Sequence, residues 1–278
     1  MELVTLDSPI VEGLTYCRPN SKDFTLDDND LVRTCPLDYH KHRLDPKHDL
    51  GNLDVFPVEL IGLVLAQIDL RTLTDFRRIN NRAMQVVDPI PEYRLVQQHT
   101  PDSIRGILSV ELGSHISVQA LFKILNESRC EDCGDFAGFI YFLTCKRVCF
   151  ICLDEKPRYY PLSVSEAVRD FGVSHRLLRP LPALKRIPGF YSPNEYTRKA
   201  RFTLVDSESV RRIGIERHGS EEAMEQYAAQ KLSEAYQHRV AGDSVTFARR
   251  RLGTRVQEGR TSDARRFMAV VRAPLAIV

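Results

Sequence analysis

The sequence predicts a mainly α protein: a three-helix unit, then a helical domain organised around a small four-cysteine segment, with few short strands. Three observations predict it. Between residues 57 and 125, apolar residues recur at helical spacing behind prolines and Asx or Ser caps. The runs that read as extended are short: 136–143, a strand or short helix, and 267–272, a strand. Finally, Cys130-Glu-Asp-Cys133 and Cys149-Phe-Ile-Cys152 are two C-x2-C pairs separated by fifteen residues, the ligand spacing of a tetrahedral zinc site.

Composition bounds the rest. The 278 residues suffice for one large or two small domains, and 43% hydrophobic with 27% charged residues reads as soluble and mostly globular. A net charge of +2 gives the whole chain no strong field for nucleic acid or membrane. No apolar run approaches the roughly eighteen residues that span a bilayer. The start, Met1 to Asp7, lacks the basic beginning and apolar core of a secretory signal. Seven cysteines, an odd number with metal-like pairing, point to a reducing compartment, the cytoplasm and/or nucleus.

Residues 1–50 are acidic, with Asp27-Asp28-Asn29-Asp30 at their centre, and read as largely irregular, with local packing around Leu31-Val32. Cys35 with His40 and His42 reads as solvated rather than as a second metal site. Pro57 opens a helix, where its missing N–H costs nothing, and Ile61, Val64, Leu65 and Ile68 give it an apolar face. Asp69 caps a second helix with Leu73 and Phe76, and Asn80 or Asn81 caps a third with Ala83, Val86 and Val87. Asp88-Pro89-Ile90-Pro91 stops the run, because a residue before proline is pushed out of the α region. Helices at Pro91–Gln98 and Pro101–Leu108 follow. Another, capped by Ser117 and carrying Val118, Leu121, Phe122 and Leu125, leads into Cys130.

Within the cysteine block, Gly134 suits the sharp backbone of a metal knuckle, where positive φ is needed. Cys130, Cys133, Cys149 and Cys152 would close a four-sulfur shell and leave no position for water, so the zinc is expected to be structural. Cys145 is the spare, an alternative ligand in place of Cys149 or a thiol packed beside the site. Unliganded buried thiols would have no reason to come in paired spacings. A two-zinc RING module needs eight ligands, which this segment does not offer.

Beyond the block, 162–178 reads as helix, glycine turn and helix, a layout that can enter a major groove but is common in helical proteins generally. The longest clean helix is 220–240, capped by Ser220, helped by Glu221 and Glu222, and stopped by Gly242. The tail 243–278, with Arg249-Arg250-Arg251, reads as flexible and solvated, with the final strand inside it.

Residues Leu53-Asp-Val-Phe56-Pro57-Val-Glu59-Leu60, Leu63-Val64, Ile68-Asp69-Leu70, Leu73, Phe76-Arg77 and Ile79-Asn80-Asn81-Arg82 together resemble an F-box. Phe56 stands where leucine is usual, and the chain has none of the tryptophan often found late in the motif. The order F-box, helices, Cys-x2-Cys-Gly, Lys146-Arg147-Val148-Cys149, Pro161-Leu162 and Pro188-Gly189-x-Tyr191 is similar to a group of filamentous-fungal F-box proteins over roughly 50–240. The resemblance implies an F-box at 51–98 and a helical domain at 99–242 with its zinc-type segment at 128–155. It also implies a non-enzymatic adaptor in a Skp–cullin–F-box ubiquitin ligase. Phe56, Pro57, Glu59, Leu60, Ile61, Val64, Ile68 and Leu73 would divide between contact with the Skp adaptor and the module's own core, and the C-terminal region would hold a protein target. The alternative is a zinc-containing nucleic-acid-binding protein, since the cysteine block and the helix after it are similar in layout to the xeroderma group A DNA-damage-recognition proteins. The histidines at 99, 115, 175, 218 and 238 are scattered and show no nucleophile–base pairing.

Overall fold

The computed structural model describes residues 23–37, 45–192, 201–240 and 264–273. Of the segment 1–50, expected to be largely irregular with local packing around Leu31-Val32, residues 23–37 and 45–50 are described. Leu26–Asp28 forms a 3-10 turn and Leu31–Thr34 a one-turn helix, α1, capped by Asp30. Leu26 and Leu31 are fully buried against the main core. The acidic run is held rather than solvated: Asp27 and Asp28 each accept from the Arg272 guanidinium at 2.6 Å. Asn29 accepts from the Phe190 amide and donates to the Phe190 carbonyl. Two leucines that find the core and two carboxylates that find one arginine are enough to order a segment whose composition alone reads as unfolded. His40 and His42 lie outside the described residues.

The helices start where their caps put them. Helix α2, Val58–Gln67, follows Pro57. Asp69 caps α3, Leu70–Arg77, accepting the Thr72 amide at 2.9 Å and its hydroxyl at 2.6 Å. Asn80 caps α4, Asn81–Val87, through the Ala83 amide. Such a cap is worth about 1 kcal/mol, because it satisfies an amide that the helix itself cannot. Buried Arg77 reaches the end of α4 and holds Asp88 at 2.6 Å. Helices α5, Pro91–His99, and α6, Pro101–Ser109, both open on proline, and Ser117 caps α7, Val118–Asn126. Leu65, Leu70, Leu73, Val96, Ile104, Ile107, Leu121 and Leu125 join one core across these helices. Burying each aliphatic side chain stabilises by roughly 1.5–3 kcal/mol.

After α7 the chain forms an antiparallel sheet of β1, Phe139–Tyr141, β2, Lys146–Val148, and β6, Val270–Arg272, ordered β2-β1-β6. Strand β1 pairs with β2 in the register Phe139↔Val148, and the segment reads as strand rather than helix. Helix α8, Phe150–Glu155, follows. A second small sheet, of β3, Leu162–Ser163, β4, Ala183–Lys185, and β5, Thr203–Val205, is ordered β3-β5-β4. Around it lie α9, Val164–Phe171, α10, His175–Leu178, α11, Ser207–His218, and α12, Glu221–Val240. Ala167, Val173, Leu178, Val205 and Val210 form its separate core. Helix α10 has four residues, one turn, and so supplies no major-groove recognition helix.

Strand β6, Val270–Arg272, returns to β1 in the register Phe139↔Arg272. The final strand is therefore present, but the stretch around it is not free tail: Ala264, Met268, Ala269, Val270 and Val271 are buried. The Arg249–Arg251 run and the Gly242 stop lie outside the described residues. Among the described residues, no helix is long and apolar enough to cross a membrane.

Candidate metal centre

Each C-x2-C pair is shaped by its own backbone. In the first, the Cys130 amide donates to the Asp135 carbonyl at 2.7 Å and the Gly134 amide returns to the Cys130 carbonyl at 3.0 Å. Gly134 takes φ +78°, as the knuckle expectation required, and no neighbour crowds it. In the second, Cys149 is the N-cap of α8 and its Sγ accepts the Cys152 amide at 3.3 Å. The Glu131 amide donates to the Arg147 carbonyl, so the first knuckle is laced to β2, which leads into the second.

Folding brings Cys130, Cys133, Cys149 and Cys152 together, with their sulfurs within 4.8 Å of one another and Cys133 Sγ 3.6 Å from Cys149 Sγ. Metal–sulfur bonds of ~2.3 Å in a tetrahedron place sulfurs about 3.8 Å apart. The donor set therefore could hold a metal ion, with three of the sulfur-bearing residues buried and Cys133 exposed. Burial works to raise the Cys130 thiol, but amide donors from Cys133, Cys149 and Asp132 outweigh it and hold it at about 7. Burial and the three neighbouring sulfurs push Cys152 up to about 12. Four sulfurs this close all become thiolate only around a cation.

Cys145 is not in the cluster. It sits in the turn between β1 and β2 at φ +52°, half-buried, and burial with a smaller contribution from Glu127 pushes its thiol up to about 12. It packs against the core as a neutral thiol, the second of the two roles open to it in the sequence.

The frame around the cluster was invisible in the sequence. Arg147 is 1% exposed, and its guanidinium donates to the carbonyls of Ile124, Leu125 and Ala137 at 2.8–2.9 Å. It thereby ties the last turn of α7 to the loop between the knuckles. Burial works against the Asp132 carboxylate, but the Tyr159 hydroxyl, Arg158 and Lys156 hold its pKa below the usual carboxylate range. Lys146 pairs with Glu131 on the same surface. A basic pair such as Lys146-Arg147 ordinarily reads as solvated, and only the run of apolar residues on either side hinted that one member points inward.

The residues of the expected partner-binding unit divide between two sides. Ile61 and Leu73 are buried and Ile68 is half-buried. Phe56, Leu60 and Val64 are 56%, 50% and 64% exposed, and Pro57 and Glu59 are exposed as well. Val64, expected on the inward face with Ile61 and Leu65, points outward; Ala66 takes the inward place. Val55, Val58 and Leu63 are also exposed, at 81%, 45% and 67%. No family model matches the chain, and neither a curated protein nor a solved structure matches it.

Proposed function

We propose that the chain is an F-box-type adaptor, the substrate-recognition subunit of a Skp–cullin–F-box ubiquitin ligase, with a structural zinc in its four-cysteine centre. The observation that carries the reading is the exposed apolar face of α2, Leu60, Leu63 and Val64, with Val55, Phe56 and Val58 also exposed at the start of the three-helix unit. Large apolar side chains grouped in this way on a small helical unit mark a surface that a partner covers. Their positions coincide with the Leu-Pro-x-Glu-Leu-like start of the motif, where F-boxes meet the Skp adaptor. Ubiquitin transfer itself would lie on other subunits.

Zinc is supported by the closed set of four sulfurs, which suits a tetrahedral ion without redox chemistry and leaves no open position for a catalytic water. The nucleic-acid alternative loses support from the charges beside the centre, since Lys146, Lys156 and Arg158 are each paired with Glu131 or Asp132. Salt-dependent DNA binding at low ionic strength would revive it.

Affinity purification from cell extract tests the adaptor reading. The wild-type chain should recover the Skp adaptor and cullin, and the Pro57→Ala/Leu60→Asp variant should recover neither while keeping its melting temperature. Recovery of neither partner by the wild type would refute it.

A further inference from the structure

The outward side of α8 is apolar at its start and acidic at its end. Phe150 and Ile151, the residues between Cys149 and Cys152, are 52% and 63% exposed. The Phe150 ring lies 6.2 Å from that of Phe139 and 6.4 Å from that of Phe267, both half-buried. Three distant segments thus build one aromatic ledge, and Ile151 extends it. Asp154 and Glu155 follow one turn later, at the i+4 positions from Phe150 and Ile151, on the same side of the helix. Among the described residues, neither has an ion-pair partner, whereas Glu131, Asp132 and Glu166 nearby are all paired.

The inward side of the same turn carries Cys152 and Leu153, buried in the metal centre and core. The helix is therefore fixed by its ligands, and the ledge is presented in a set position. About half of the Phe150 side chain and more than half of Ile151 stay in contact with water, and covering that apolar area favours a partner. Unpaired carboxylates one turn away add a preference for positive charge.

We propose that this ledge docks a protein segment of basic-apolar character. Its large apolar side chain packs on Phe150 and Ile151, and a lysine or arginine within about one turn's length pairs with Asp154 and Glu155. The inference rests on the adaptor reading in one respect: under that reading, the docked segment belongs to the degradation target.

The test pans the full chain, purified with its metal, against a random twelve-residue peptide library displayed on phage. Enriched peptides should carry an apolar residue within four positions of lysine or arginine. Their binding should fall about tenfold or more in Ile151→Asp and in Phe150→Ser, as for a central interface residue. Asp154→Lys/Glu155→Lys, a change at the surface that leaves the knuckle intact, should turn selection toward acidic peptides. Leu60→Asp should lose the Skp adaptor and keep the peptides. No enrichment, enrichment of peptides without a basic residue, or binding indifferent to these substitutions would overturn the proposal. Skp capture without peptide selection would sink this surface alone, and peptide selection without Skp capture would support it while sinking the adaptor reading.

Discussion

Arg147 links the two halves of the metal segment to the helix before it through three backbone carbonyls. Removing it leaves those carbonyls without their charged donor, so Arg147→Met should lower stability by about 1–3 kcal/mol for each carbonyl left unpaired, read as a urea midpoint shift at constant slope. Arg147→Lys should recover less than half, because an ammonium cannot span three acceptors as the planar guanidinium does. Two glycines make a contrast of the same scale. A methyl group at Gly172, φ +64°, would meet the Tyr227 ring at 2.7 Å, whereas at Gly134, φ +78°, it would meet nothing. Gly172→Ala should therefore reduce the melting temperature more than Gly134→Ala, which carries only the left-handed backbone cost of about 1–2 kcal/mol. The cysteine quartet was legible because ligand spacing is a local property of the chain. Arg147 and Tyr227 were not, since their partners lie tens of residues away.

At the scale of elements, legibility followed capping. Pro57, Asp69, Asn80, Pro91, Pro101, Ser117 and Ser220 each mark a helix start by a local rule, and each such helix is present. Strands β4 and β5 gave no comparable signal, whereas helix α11 carries a cap of the same kind, Asp206 accepting the Ser209 amide at 2.8 Å, and was still missed. The strands have three residues each, too few for alternation to register, and α11 carries Gly214 in its middle. That glycine has a tertiary reason: a Cβ there would stand 2.7 Å from the Met224 sulfur of α12. The strap at 26–34 was hidden for the opposite reason, because its acidic run is neutralised by Arg272 from the far end of the chain. Leu26→Ala should cost about 2–5 kcal/mol in chemical denaturation, an effect a solvated segment would not produce.

A second long-range tie, Arg265 to Glu166 at 2.6 Å, makes a pH prediction. Burial works to raise the Glu166 carboxyl, but Arg265 and the Ser163 backbone and hydroxyl more than offset it, leaving the pKa below its ordinary 4.5. A carboxyl depressed in the folded state contributes its stability above the unfolded value and loses it as pH falls through the folded one. Melting temperature should therefore fall below about pH 4.5, and Glu166→Gln should flatten that part of the profile.

For the whole molecule, the chain divides its labour between exposed apolar side chains on its first long helix and a four-cysteine cluster in the middle of the fold that could hold a metal ion. Strand β6 pairs with β1 between the two knuckles, and the 26–34 strap is tied in turn to Arg272 of β6, so loosening the centre should propagate through β6 to the strap. Chelation should lower the melting temperature and reduce the ordered content seen by circular dichroism, because metal affinity in a closed thiolate site is folding free energy. The most direct measurement is elemental analysis of the purified chain beside its Cys130→Ser/Cys149→Ser variant. The wild-type chain should carry one zinc and the variant almost none. A wild type free of metal, or a variant that retains the same zinc, would contradict it.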